Sequence, residues 1–222
     1  NVHLRKLLIL QKFRQPLDHG GIAAGIVPQV DDDLVGCAVI GQGIPDILQE
    51  SLSLDLMLLG SGSIRSTELG PIVLLSDLTE CFPYDDMMHL LKVKGSQLKR
   101  MIRYMLRDEV WEGSHCEFYQ FSQGMRVVYD RSSRSFKEFS LNGEPVTDDR
   151  IYQVGLQHYH FVNIESFFGI PMEEVSRNSA PRAVATSCFE IIDEYLSFQT
   201  DVLTRRTQYD LRKAQERAHL LE

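Results

Sequence analysis

The sequence predicts an α+β fold, in which a mixed, partly antiparallel sheet is flanked by helices. Apolar segments of strand length and amphipathic segments of helical period intermingle along the chain without a regular strand–helix–strand rhythm. This disfavours a doubly wound parallel sheet. Between residues 117 and 143, short strand patterns are separated by polar turns and end at Asn142-Gly143. Such a pattern is typical of antiparallel hairpins.

Composition limits the classes of function. The chain has 222 residues and 43% hydrophobic content, enough for the core of one large domain or two small ones. Its formal net charge of −8 argues against a general nucleic-acid or anionic-membrane binder. The longest apolar runs fall short of the ~20 residues that cross a bilayer. The four cysteines are far apart without a Cys-x-x-Cys pair, so we expect reduced thiols rather than a zinc ribbon.

The start of the chain resembles an internal position of a longer protein. It lacks an initiator methionine, and no small-residue cleavage site follows its first apolar residues. Both a cytoplasmic and an exported parent protein fit this sequence. We predict three parts: an N-terminal helix and connector over residues 1–42, a main domain over 43–199 and a helical tail over 200–222.

The sequence of the first half of the chain predicts three helices and two extended segments around a small-residue loop. Pro45 suits a first helical turn, and Ser76 with Asp77 suits a helix cap. Gly60 to Ser63 are residues at which a ligand can approach the backbone closely, and Arg65 then supplies fixed donors for phosphate, carboxylate or ribose oxygens. The predicted elements are helices 1–14, 43–52 and 78–81, a connector over 21–43, a strand over 55–59 and an extended segment over 71–75.

The second half predicts the clearest helix and most of the strands. Leu98, Met101, Ile102 and Met105 recur at i, i+3, i+4 and i+7, so these methionines are predicted to pack in the core rather than bind a metal. The predicted strands are 87–93, 117–121, 125–129, 135–141, 151–156 and 182–186. The predicted helices are 95–106, 164–168, 172–175, 188–196 and the tail from 204.

Four segments in sequence resemble the C-terminal domain of the 5'-nucleotidase and UDP-sugar hydrolase family. The resemblance covers residues 43 to 196 and matches the order and spacing of the family's Gly-rich loop, Pro-aromatic element, helix start and late binding loop. The segments are Asp55-Leu-Met-Leu-Leu-Gly-Ser-Gly-Ser-Ile-Arg65, Pro83-Tyr84, Val93-Lys-Gly-Ser-Gln-Leu98 and Tyr152 to Phe167.

The resemblance implies a nucleotide or nucleoside pocket. Arg65 falls on the arginine of the Gly-rich loop, which in the family contacts the substrate near phosphate and ribose. Gly60 falls where the family often has asparagine, and Gly62 lies within the same loop.

Aromatic and acidic positions complete the implied pocket. Tyr84 and Tyr159 resemble the two aromatics that sandwich the nucleobase, and Glu165 resembles the acidic residue that accepts hydrogen bonds from the ribose hydroxyls. Considered without the resemblance, both tyrosines are ordinary half-buried packing residues.

Several positions depart from the family pattern. Residues 31–42 contain no arginine, although the family places one before this helix. Asp85-Asp86 replaces a common Gly-Asn pair, and this added negative charge either repels a phosphate or faces solvent. Tyrosine replaces phenylalanine at both aromatic positions, and Asn163-Ile164 replaces a Gly-Gly pair.

The resemblance assigns catalysis to another domain. Family hydrolysis belongs to an N-terminal metallophosphatase domain that holds two divalent metal ions, and its ligand motifs are not assembled in this sequence. We therefore expect this chain to be the substrate-recognition domain of a metal-dependent 5'-nucleotidase. By itself it is predicted to be non-catalytic and to hold no cofactor.

Two alternatives remain open at this stage. One is a non-catalytic ligand-binding or protein-interaction module with a decayed nucleotide pocket. The other is a metal site at His158-Tyr-His160, because residues two apart on a strand share a face. The competing interpretation of this segment is that both histidines are simply partly buried or solvated residues beside a binding loop.

Overall fold

The structure, a computed structural model, describes residues 35–66, 75–111 and 118–219. Within these ranges it confirms the α+β fold with a mixed sheet flanked by helices. The helices are α1 (Val35–Leu52), α2 (Leu75–Cys81), α3 (Gly95–Met105), α4 (Asp108–Trp111), α5 (His158–Val162), α6 (Ile164–Phe168), α7 (Met172–Ser176) and α8 (Cys188–His219). The strands are β1 (Leu56–Gly60), β2 (Met87–Lys94), β3 (Tyr119–Phe121), β4 (Met125–Asp130), β5 (Ser135–Leu141), β6 (Glu144–Pro145), β7 (Ile151–Gln157) and β8 (Arg182–Ser187).

The main sheet has five strands in the order β3-β1-β7-β2-β8. Only the β1–β7 pair is parallel among these neighbours, with Met57 opposite Gly155, and the other three pairs are antiparallel. Strands β4, β5 and β6 form a separate antiparallel sheet. Its tight turn at Asn142-Gly143 has positive φ angles of 53° and 80°, which the Asn-Gly pair adopts readily.

Strand β1 of the main sheet is buried on both faces. Leu56 and Leu58 of β1 belong to the apolar cluster that contains α3, whereas Met57 and Leu59 belong to the cluster that contains α1 and the start of α8. Burial on both faces explains why β1 reads as a continuous apolar run without alternation. The predicted stripe on α3 is confirmed, because its four apolar residues are all at most 2% exposed.

The start of the first described helix corrects the prediction. Helix α1 begins at Val35 rather than at residue 43, so Pro45 lies inside it instead of in its first turn. The expectation of an extended connector is therefore wrong for residues 35–42. The Gly- and Ala-rich sequence there shows no strong period, and α1 is stabilised by packing against β1 and α8.

Three further differences concern pairing and helix ends. Strand β3 pairs with β1, so the predicted meander of residues 117–141 is formed instead by β4, β5 and β6. Helix α8 is continuous over 32 residues. It includes residues 197–203, which lie between the predicted helix 188–196 and the predicted helical tail from 204. Ser76 and Asp77 lie inside α2 rather than before it. Sequence patterns show which segments form strands but not which strands pair, since pairing depends on distant segments.

Three predicted segments lie outside the described residues: the helix over 1–14, the connector before residue 35 and nearly all of the extended segment 71–75.

Candidate functional site

One edge of the main sheet collects the segments that the sequence singled out. Because β1 and β7 are parallel, their carboxyl ends at Gly60 and Gln157 lie at the same edge. Strand β2 runs in the opposite direction and starts at this edge with Met87, and its next residue, Met88, pairs with Gln157. Strand β8 ends at the same edge, where Ser187 pairs with Met87. The loop after β1, the loop before β2 and helix α5 therefore meet at this edge.

The small-residue loop is a single 3-10 turn fixed to the neighbouring strand. Ser63 donates a hydrogen bond of 2.8 Å from its hydroxyl to Oε1 of Gln157, and both residues are buried. Gly60 lies at the strand end with an ordinary extended backbone (φ −59°, ψ 131°), and Gly62 is exposed in the turn. The turn thus directs the chain from β1 toward Arg65.

Arg65 and Tyr84 are in direct contact. The guanidinium Nη2 donates a hydrogen bond to the tyrosine hydroxyl, and Cζ lies 5.4 Å from the centre of the Tyr84 ring. The backbone N–H of Arg65 also donates to the carbonyl of Cys81 over 2.6 Å. Tyr84 is 39% exposed, so part of its ring is accessible at this edge.

Tyr159 lies on α5, directly after the end of β7. Its ring is 56% exposed and packs edge-on against His160 and Phe167, with centroids 5.4 and 5.5 Å away. Among the described residues, its ring does not contact Tyr84. Glu165 is exposed in the first turn of α6. The structure thus joins Arg65 to Tyr84 and places Tyr159 and Glu165 on the adjoining pair of short helices.

The strand geometry assumed for the metal alternative at His158-Tyr-His160 is wrong. These residues form α5, and the buried His160 packs edge-on against Tyr119 and Phe167. Nδ1 of His158 instead lies 2.9 Å from Nε2 of His89, at hydrogen-bond distance. In the part of the chain that is described, no group of three or more His, Cys, Asp and Glu side chains is arranged to hold a metal ion.

Sequence reasoning missed His89. It lies on β2, is 7% exposed and stacks on Phe161 with centroids 3.9 Å apart. Burial and the neighbouring His158 lower the pKa of His89, while Asp86 acts in the opposite direction. The available signal was its position inside a predicted buried strand, where a histidine requires a partner.

Asp85 has a partner that its sequence position did not indicate. Its Oδ1 accepts a hydrogen bond of 3.0 Å from the backbone N–H of Phe189, in the first turn of α8. The expectation that this carboxylate either repels a phosphate or faces solvent therefore omitted a third role, the stabilisation of a helix end.

The fold and this edge define the class of α+β domains whose polar and aromatic side chains gather at one end of a mixed sheet. The sequence matches the family described as "5'-nucleotidase, C-terminal domain" over residues 28–168, and the chain belongs to this family. The resemblance noted in the sequence is thereby confirmed.

Solved structures share this fold. The NAD nucleotidase of Haemophilus influenzae matches with a TM-score of 0.59 and 17% identity, over 82% of this chain and 33% of its own. A 5'-nucleotidase precursor from Thermus thermophilus matches with a TM-score of 0.56 and 18% identity, over 72% of this chain and 32% of its own. The chain thus spans about a third of these proteins.

A different similarity appears among curated sequences. The DNA gyrase A protein of Clostridium acetobutylicum is 38% identical over 99 residues, which are 45% of this chain and 10% of the gyrase protein. The corresponding protein of Streptococcus pyogenes is 31% identical over 100 residues, or 12% of its length. The chain therefore spans about a tenth of these relatives.

Among the described helices, none has the length and hydropathy of a membrane span.

Proposed function

We propose that this chain is the substrate-recognition domain of a nucleotide phosphohydrolase of the 5'-nucleotidase type. The single observation that supports this most is the contact between Arg65 and Tyr84 at the sheet edge where β1 and β7 end. It combines a cation with an accessible aromatic ring, and a nucleotide offers an anion and a base to match them.

The base is assigned to the two exposed tyrosines. Stacking of a base on an aromatic ring contributes ~1–3 kcal/mol and tolerates different bases, because every base has a π-face. Tyr84 and Tyr159 are 39% and 56% exposed on neighbouring segments of one edge, which supports roles as the two sides of a base slot.

The charged residues are assigned to the other parts of the ligand. Arg65 contacts the anion, since a guanidinium offers paired donors to phosphate oxygens. Glu165, exposed at the start of α6, accepts hydrogen bonds from the ribose hydroxyls. Gly62 is exposed and leaves the backbone of the turn open to close approach by the ligand, and the buried Gly60 ends the strand that leads into this turn.

Hydrolysis is assigned to a partner, the N-terminal metallophosphatase domain of the parent protein. Two divalent metal ions held there would supply the activated water and neutralise the phosphate charge. The part that we assign to this chain is to bind and orient the nucleotide. We expect the isolated chain to bind without hydrolysing.

Calorimetry of the 222-residue chain with AMP, adenosine and UDP-glucose tests the proposal. Weak binding that is lost in Tyr84→Ala and in Tyr159→Ala supports it. Tyr209→Ala is the matched control, because Tyr209 is 51% exposed on the distant part of α8. Absence of binding at millimolar ligand overturns the proposal and favours the interaction-module alternative.

A further inference from the structure

The first turn of α8 receives its hydrogen-bond acceptors largely from the segment that carries Tyr84. The N–H of Cys188 donates to the carbonyl of Asp86 over 3.3 Å, and the N–H of Phe189 donates to Oδ1 of Asp85 over 3.0 Å. The N–H of Glu190 donates to the hydroxyl of Ser187, the residue before the helix. Three successive N–H groups that a helix start leaves without intrahelical partners are thus satisfied, two of them by a distant segment.

The other side of Tyr84 is also fixed. Phe82 is 1% exposed and lies edge-on to Phe189, with ring centroids 6.1 Å apart. The carbonyl of Cys81 accepts the N–H of Arg65 over 2.6 Å. Pro83, Tyr84 and Asp85 are therefore the exposed part of a short bridge, which is held at one end by the buried Phe82 and at the other by the hydrogen bonds to α8.

We propose that Asp85 is a positioning residue for ligand binding, which holds the Tyr84 ring at the sheet edge through its hydrogen bond to α8. This inference rests on the proposed function, because it concerns the same nucleotide site. The hydrogen bond fixes the residue adjacent to Tyr84 to a helix that packs on the body through Ile191, Ile192 and Leu196. Without it, the residue after Tyr84 loses its side-chain hydrogen bond to the first turn of α8.

The competing explanation is that Asp85 acts only through its charge. A carboxylate beside the site would then repel the phosphate of AMP and leave the uncharged adenosine unaffected. Asp85→Asn separates the two explanations, because the amide oxygen still accepts the Phe189 N–H while the charge is removed. Asp86→Asn is the matched control, since Asp86 contributes its backbone carbonyl to the helix start.

The experiment is calorimetric titration of adenosine and AMP into the 222-residue chain and these variants at pH 8. For Asp85→Ala we expect about tenfold weaker adenosine binding, equivalent to ~1.4 kcal/mol. For Asp85→Asn and Asp86→Asn we expect adenosine affinity within about twofold of the unaltered chain. Adenosine binding that is weakened in Asp85→Ala but retained in Asp85→Asn is a result that a role of Asp85 through its charge does not produce.

Two other outcomes overturn the inference. Unchanged adenosine affinity in Asp85→Ala shows that the hydrogen bond does not position the ring, and equal tightening of AMP in Asp85→Ala and Asp85→Asn shows a role through charge alone. If Asp85→Ala does not fold by circular dichroism, Asp85→Glu replaces it, because it keeps the charge while displacing the acceptor. Failure of the unaltered chain to bind either compound overturns the proposed function instead, so the two failures are distinguishable.

Discussion

The guanidinium of Arg65 donates a hydrogen bond to the hydroxyl of Tyr84 and lies 5.4 Å from the centre of the same ring. Arg65 lies after β1 and Tyr84 lies before β2, and these two loops are at the same edge of the sheet because β1 is parallel and β2 antiparallel to β7, which lies between them. A phenylalanine at this position would offer the ring but no hydroxyl acceptor. The tyrosine hydroxyl therefore orients the Arg65 guanidinium within the described structure.

The substitution Tyr84→Phe tests this orientation. We expect adenosine binding to be retained because the ring remains, and AMP binding to weaken by about 0.5–1.5 kcal/mol, as for one exposed hydrogen bond. Calorimetry with both ligands measures the two effects separately. Arg65→Gln is the companion variant, and it should weaken AMP binding further. Equal loss of both ligands in Tyr84→Phe would contradict the assignment.

The buried hydrogen bond between Ser63 and Gln157 is expected to stabilise the site edge. Ser63→Ala leaves the amide of Gln157, which is 1% exposed, without this donor. We expect the free energy of unfolding to fall by about 1–3 kcal/mol, the usual effect of an unsatisfied buried group. Urea denaturation measures this change. Ser61→Ala in the same turn is the control, because its backbone N–H makes the described contact.

Local patterns predicted most elements but not the contacts at the edge. Strand β5 and helix α6 have their predicted bounds, because each ends at a clear break: Asn142-Gly143 follows β5 and Gly169 follows α6. The link from Asp85 to Phe189 spans 104 residues, and the pair formed by His89 and His158 spans 69. No local period carries such information, because it arises from sheet order and from the direction in which each strand enters the edge.

The family resemblance supplied the candidate residues, and the structure supplied their neighbours. Arg65 and Tyr84 are both predicted binding residues, but the sequence did not show that they contact each other. Their contact depends on the antiparallel direction of β2, which brings Tyr84 to the edge where Arg65 lies. His160 shows the opposite case. On a strand, His160 and His158 would share a face, yet the segment is helical after β7, and the His160 ring lies in an aromatic cluster.

Acid is expected to destabilise the protein through His89. Burial and His158 lower the pKa of His89, whereas Asp86 raises it to a smaller extent. The folded state therefore binds fewer protons at this group than the unfolded state does. The stability contribution is complete above the unfolded pKa of ~6.5 and is lost as the pH falls through that value toward the folded pKa.

The variant His89→Phe isolates this contribution. A phenyl ring preserves stacking on Phe161 and removes the titrating group. Urea unfolding at pH 8, 7, 6 and 5 should show a shallower decline in the variant than in the unaltered chain. Parallel declines in the two proteins would show that another group controls the acid sensitivity.

Removal of the outer part of α8 distinguishes the proposed function, a substrate-recognition domain, from the alternative of a protein-interaction module. Thr200 is buried, whereas residues 205–217 are exposed along the helix. A chain ending at Thr204 should keep its unfolding free energy within about 0.5 kcal/mol and bind adenosine unchanged, because exposed positions contribute little. Ending the chain at Glu194 is the contrasting control, since it removes the buried Leu196 as well and should cost about 2–5 kcal/mol.

The same truncation has an informative contrary outcome. It removes Tyr209 and Leu211, two large side chains that are 51% and 58% exposed on this helix. If the chain ending at Thr204 loses adenosine binding while its fold is intact by circular dichroism, the outer helix takes part in the site. The base slot at Tyr84 and Tyr159 would then be an incomplete description of recognition. Unchanged binding instead locates recognition in the body of the domain, where Arg65 and Tyr84 meet.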